Sequence, residues 1–174
     1  MENIEITRVT ENEVPQLQQI ARDTFCQTFA ESNTDENMQD YLENGFSIDK
    51  VTAELNDEHS AFYFAKLGEE VIGYLKLNFG QSQTELKDDE AVEIERIYVL
   101  KQYHGKKVGQ ILYNKAIEIA KQQKAAYVWL GVWEENQRAI SFYKKNGFVA
   151  FDKHIFTLGE DEQTDIMMKL RLTS

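Results

Sequence analysis

The stretch Val92-Glu93-Ile94-Glu95-Arg96-Ile97-Tyr98-Val99-Leu100, followed by Lys101-Gln102-Tyr103-His104-Gly105-Lys106-Lys107-Val108-Gly109, changes character halfway along. Its first part is dense in β-branched and aromatic residues and reads as a strand over 92–100. Its second part is a basic, glycine-containing turn. After it Val108, Ile111, Leu112, Ala116, Ile119 and Ala120 recur at helical spacing, which predicts a helix over 108–123. A short apolar run at 127–133 then reads as a buried strand, completing a strand–helix–strand crossover. A helix N-terminus presents unpaired N–H groups and the positive end of its dipole, and Gly105 and Gly109 let a ligand approach the main chain. With Lys106 and Lys107 the turn suits a pyrophosphate. It is not a Walker A loop, and the dinucleotide fingerprint Gly-x-Gly-x-x-Gly is missing from the sequence. An ordinary connection that binds nothing fits this turn equally well.

Outward from this unit, 4–9 reads as a short strand. Thr10 and Glu13 form a capping box ahead of a helix with Val14, Leu17, Ala21, Phe25 and Phe29 on one face. Thr34, followed by Asp35 and Glu36, opens a second helix with Met38, Leu42 and Phe46, and Ser47 caps a third through Leu55. Segments 60–67 and 71–79 read as a hairpin around Gly68-Glu69-Glu70. Beyond the crossover, 136–146 is helical with Gly147 as its C-terminal cap, and 148–158 with 164–172 forms a closing hairpin. The fold class is α/β: a mixed, mainly antiparallel sheet with helices on both faces. One proline, no repeat and no low-complexity segment make residues 1–174 a single domain.

Nineteen Lys and Arg stand against thirty Asp and Glu, a formal charge of −11, which argues against generic nucleic-acid and anionic-membrane binding. The charge is uneven. Residues 31–58 hold nine acids and one base, 69–95 eight acids and two bases, while 96–124 hold seven bases and one acid. This predicts an anion site on the basic segment and a cation site on the acidic remainder. Cys26 has no partner for an internal disulfide, no Cys/His spacing points to a metal, no apolar run is long enough to span a bilayer, and the start is acidic. The expectation is a cytoplasmic protein.

The segment from His104 through Lys107 to Gly109 resembles the phosphate-loop signature Gln/Arg-x-x-Gly-x-Gly/Ala of the GCN5-related N-acetyltransferases, with His104 and Lys107 departing from it. A second motif, Asn136-x-x-Ala139-Ile140-x-Phe142-Tyr143-x-x-x-Gly147-Phe148, resembles that family's coenzyme-binding helix in full. The runs 93–99, 129–134 and 142–145 and the tail Glu162-Gln163-Thr164-Asp165 are similar to the PaiA-type bacterial enzymes that acetylate spermidine and spermine. The resemblance implies the family's acyl-CoA N-acyltransferase fold, with acetyl-CoA held in a split between the strand ending at Val99 and strand 127–133. It implies main-chain contacts from Ile97, Tyr98 and Val99 to the pantetheine arm and oxyanion, and a pyrophosphate cradle of His104, Gly105, Lys106, Lys107, Val108, Gly109 and Gln110. Asn136 would hold the arm from the facing side. The implied acceptor is a small cationic amine, a polyamine, and a homodimer is a candidate assembly.

The chemistry is attack of a neutral amine on a thioester. An alkyl ammonium has a pKa near ~10.4, so at neutral pH only about one molecule in a thousand is reactive and a base is required. Glu93 and Glu95, two residues apart, fall on one strand face. The resemblance makes Glu95 the candidate base, either glutamate acting directly or through water, and Tyr143 the acid that protonates the leaving sulfur. Both glutamates equally fit a solvated or salt-bridged face. Among the rest, Tyr41, Met38 and Phe46 are expected near an acceptor groove, Trp129 and Trp133 in the core or cleft wall, and His59, His154 and Cys26 outside the chemistry. Rival functions are acetylation of a protein N-terminus or lysine, and non-catalytic sensing of acetyl-CoA or polyamine.

Overall fold

A computed structural model describes residues 3–29, 34–158 and 161–172; Glu31, which opens the first acidic run, lies outside them. In chain order the elements are β1 Ile4–Arg8, α1 Val14–Phe29, α2 Asp35–Gly45, α3 Ile48–Leu55, β2 Ser60–Leu67, β3 Glu70–Phe79, β4 Ala91–Val99, α4 Val108–Gln122, β5 Tyr127–Trp133, α5 Gln137–Lys145, β6 Val149–Leu158 and β7 Asp161–Arg171. The helix starts follow from their capping residues. Thr10 and Glu13 close the capping box over a 3-10 turn that runs into α1. The Thr34 hydroxyl accepts the Asn37 N–H at 3.1 Å, and the Ser47 hydroxyl accepts that of Lys50 at 3.2 Å. Gly147, at φ +98°, follows α5 in the left-handed region that terminates helices.

The seven strands form one sheet in the order β1-β2-β3-β4-β5-β7-β6. Every pairing is antiparallel except β4 with β5. The terminal hairpin inserts its second strand, β7, between β5 and β6, an order that local pattern did not specify. Helices cover both faces. The first core packs α4 and α5 against the sheet through Leu112, Ala116, Ile140 and Tyr143. The second packs α1, α2 and α3 against Phe62, Phe64 and Tyr74.

Two irregularities position the site. The β3–β4 register passes from Lys76↔Arg96 to Leu77↔Ile94, leaving Glu95 as an extra residue, a β-bulge. Strict alternation would put Arg96 on the face opposite Glu95. The bulge brings Arg96 round, so that both residues face the α1–α3 side, where Arg96 meets Glu54 of α3 and the Phe46 ring. Second, β4 and β5 pair only from Ala91↔Tyr127 to Ile94↔Leu130 and then part. From Arg96 to Val99, β4 keeps β3 as its neighbour and faces a fork on its other edge.

The wall behind this fork depends on α4 packing flat on the sheet. Leu112 is fully buried there. Leu112→Ala is expected to lower unfolding stability by about 2–5 kcal/mol, read from the shift in a urea transition.

Candidate active site

A cleft of about 980 Å³ opens at the fork, lined by the ends of β4 and β5, the β4–α4 turn, α5 and one face of α1 and α2. The main chain of β4 alternates. The Leu100 N–H bonds back to Ile72 on β3 at 2.9 Å, so the groups of Val99 and Ile97 point the other way, into the cleft. No strand pairs with them there. One is already engaged: the His104 Nε2–H donates to the Val99 carbonyl at 2.9 Å. Burial, with Arg138 and Lys101 nearby, holds the His104 ring below its ordinary pKa against that bond. His104 therefore fixes the turn to the end of β4, and its ring is committed there rather than extended toward a phosphate.

The turn itself is an open cradle. At both Gly105 and Gly109 a Cβ would meet nothing within 4 Å, which leaves the main chain free to a ligand. Lys107 is the N-cap of α4 with φ +66°, a left-handed conformation that costs a non-glycine residue about 1–2 kcal/mol. It stands where the phosphate-loop signature has glycine, and it keeps the glycine-like backbone. Lys107, Val108, Gly109 and Gln110 line the cleft. Lys106 is the exception among the expected residues: its ammonium lies 5.7 Å from the centre of the Tyr103 ring, outside the cleft lining. Arg138 and Lys145 of α5 do line it, basic residues on the far wall that segment arithmetic missed. The Asn136 Oδ1 caps α5 by accepting the Ala139 N–H at 3.2 Å, and the residue lines the cleft.

On the α1–α3 side lies a connected charge cluster. Glu95 Oε1 takes the Lys76 ammonium at 2.7 Å and the Asn78 amide at 2.8 Å, while its Oε2 takes the Arg96 guanidinium at 3.1 Å. Arg96 and Lys76 also reach Glu54, at 3.1 and 3.7 Å. Although burial alone would raise it, the Glu95 pKa falls to about 2 because Arg96 and Lys76 flank the carboxylate. Glu93 is buried and pushed up by that burial, against hydrogen bonds that use both of its oxygens. Oε1 accepts Asn78 Nδ2 at 3.0 Å and Thr84 N–H at 2.7 Å, and Oε2 accepts the Thr84 hydroxyl at 2.6 Å. Both glutamates share a face as expected and line the cleft, yet both are fully partnered.

Tyr143 of α5 reaches the cleft from the opposite side of the sheet, packed between Phe142 and Phe148. Burial pushes its phenol well above the usual range, so it stays protonated throughout neutral pH. The Tyr98 phenol is raised by burial and then by nearby Tyr74, with Tyr143 and Asp165 acting in the same direction. Asp165, Glu85 and His154 also line the cleft. Tyr41, Phe46 and Trp133 line it as well, whereas Met38 is packed in the core beneath. Trp129 is buried, its indole N–H held by Gln83 at 2.7 Å. His59 is paired weakly with Glu58 at the surface, and Cys26 packs half-buried beside the α1–α3 core.

This architecture matches the model of the acetyltransferase (GNAT) family over residues 15–148, and the chain belongs to that family. It is 39% identical over 172 residues, 99% of both chains, to an uncharacterised N-acetyltransferase of Lactobacillus delbrueckii subsp. lactis. It is 27% identical over 154 residues to a spermidine N(1)-acetyltransferase of Thermoplasma acidophilum, covering 86% of this chain and 91% of that one. Among solved structures, the PaiA N-acetyltransferase of Thermoplasma acidophilum in complex with coenzyme A superposes with a TM-score of 0.79 at 25% identity, over 97% of this chain and 99% of that chain. The protein is an N-acetyltransferase and acetyl-CoA is its donor.

The charge cluster makes a stability prediction. Glu95 has a folded pKa of about 2, below its ordinary 4.5, so the stabilisation it contributes is present above pH 4.5 and is lost as pH falls toward 2. Glu95→Gln leaves Glu54 as the one carboxylate for two buried cations and is expected to cost about 3–5 kcal/mol at neutral pH. Urea unfolding from neutral to acidic pH should show this acid-side loss in the wild type and its attenuation in the variant.

Proposed function

We propose that this N-acetyltransferase acetylates a primary amine of a spermidine-class polyamine, by direct transfer with donor and acceptor bound together. The observation that carries this reading is the unneutralised acid of the α1–α3 wall. Lys76 and Arg96 offset Glu54 and Glu95, while Glu85, Glu93 and Asp165 add negative charge to the same cleft. Such a wall concentrates a polycation. Phe25, Tyr41, Phe46 and Trp133 supply apolar surface for the methylene segments between amines. The PaiA structural neighbour and the spermidine-acetylating relative support the same acceptor class.

Acetyl-CoA supplies an acyl group activated as a thioester. On this reading, Ile97 and Val99 offer main-chain groups to its pantetheine arm and Asn136 an amide N–H from the other wall. The turn 104–110 offers N–H groups, Lys107 and the α4 dipole to the pyrophosphate. Tyr143, kept protonated by burial, gives its proton to the departing sulfur.

Purified protein with acetyl-CoA and a panel of spermidine, spermine, aminoglycosides and peptides, read by thiol release, should show its highest kcat/KM with a polyamine. Brisk turnover of a peptide with no polyamine turnover would assign the acceptor to protein amines instead. Tyr143→Phe should lower kcat by about 100-fold with coenzyme affinity unchanged in calorimetry. An unaltered kcat would remove Tyr143 from the acid role.

A further inference from the structure

Five carboxylates line the cleft, Glu85, Glu93, Glu95, Glu135 and Asp165, and three of them are already occupied. Glu95 is ion-paired through both oxygens, and Glu93 is hydrogen-bonded through both. Glu85 pairs with the His154 Nδ1 at 3.0 Å. Among the described residues Glu135 and Asp165 have no side-chain hydrogen-bond or ion-pair partner; Glu135 is exposed on the turn between β5 and α5, whereas Asp165 is half-buried on β7, beside the fork. It sits on β7 opposite Trp133, and its Oδ2 reaches diagonally to within 3.3 Å of where a Cβ of Gly131 would be. Gly131 is the residue of β5 just past Leu130, the last to pair with β4. The missing side chain at 131 thus gives the Asp165 carboxylate its place at the apex of the fork. Tyr143 of α5 lines the same cleft from the other face of the sheet, and the Tyr98 phenol feels both groups.

The geometry points to Asp165 as the base that takes the proton from the reacting amine, with neither glutamate of β4 in that role. The assignment rests on amine acetylation and not on which amine is the acceptor. The ammonium gives one proton to Asp165, and the freed nitrogen lone pair forms the N–C bond to the acetyl carbon as the C–S bond breaks. Sulfur takes the Tyr143 proton, the new amide nitrogen sheds its remaining extra proton to the tyrosinate, and Asp165 returns its own to solvent. The chain ends unchanged, and one proton is released per transfer.

The groups that face Asp165 are His154 on β6, Glu85 beside that histidine, Tyr98 on β4 and Tyr41 on α2. Burial pushes the Asp165 pKa up to about 6 against the pull of His154. The base form therefore dominates at neutral pH and is lost below that value.

The test is kcat at saturating amine, from about pH 5 to about pH 9, for wild type, Asp165→Asn, Glu93→Gln and Glu95→Gln, using whichever amine the wild type turns over best. The wild type should rise through about pH 6 and level off. Asp165→Asn should lose about 100-fold at neutral pH and climb with pH without levelling, because solvent must now take the proton. Calorimetry should show its coenzyme affinity unchanged, which separates a lost base from a lost fold. Wild-type kcat and profile in Asp165→Asn would overturn the assignment, as would loss of the rising limb in Glu93→Gln or Glu95→Gln with Asp165→Asn unaffected. If the acceptor is a peptide amine, the same profile is expected with that amine, so the acceptor and the base are refuted separately.

Discussion

After Ile94 the main chain of β4 must leave β5 while remaining paired to β3, and most of the site follows from how it does so. A buried, unpaired peptide group costs about 1–3 kcal/mol, so a strand does not abandon a neighbour without compensation. Two features supply it here. The bulge at Glu95 bends the strand and turns Arg96 and Glu95 to the same face, where Glu54, Lys76 and Asn78 hold them. This charge cluster ties β4 to β3 and α3 on the side away from β5. The freed groups of Ile97 and Val99 meanwhile face an open cleft, where water or a ligand can satisfy them. A fork that would be a defect in a closed sheet becomes a row of directional partners for an extended arm.

The same bend sorts the charges. Arg96, counted by sequence position with the basic segment, belongs to the acidic wall and is neutralised there. The basic pole facing the α4 N-terminus is assembled instead from Lys101 and Lys107 before the helix and Arg138 and Lys145 on α5. Basic and acidic regions are thus separated by the sheet itself, one toward α4 and α5, the other toward α1–α3. The fork is the opening between them.

Helix starts were legible because capping is local. Thr10, Thr34 and Ser47 each act within three residues, and each lies where the sequence places it. The open turn before α4 was legible for the same reason: a glycine-rich turn before a helix behaves alike in any fold. What escaped were consequences of pairing. Period-two reasoning put Glu93 and Glu95 correctly on one face, but it has no means of seeing that an inserted residue adds Arg96 to them and saturates Glu95. Asp165 and His154 belong to a hairpin whose strand order is set by long-range contact, so nothing near them in sequence marks a cleft residue. The one local hint was Gly131 in the middle of an otherwise bulky strand, a position where a side chain is often missing so that something else can come close.

Burial at the fork acts in complementary ways on the two groups we propose to handle protons. A dry environment disfavours charge, so it raises both an acid such as Tyr143 and a carboxylate such as Asp165. For the phenol this guarantees a proton to give at any working pH. For the carboxylate it brings the pKa to about 6, close enough to neutrality to accept a proton readily and low enough to be mostly ionised before it does. Glu95, held at about 2 by its two cations, is ionised at all times and for that reason is a poor acceptor. The ion pairs that fix the bend of β4 thus remove Glu95 from proton transfer, and the half-buried carboxylate left without partners, on β7 beyond β5, is the one whose surroundings tune it for that work.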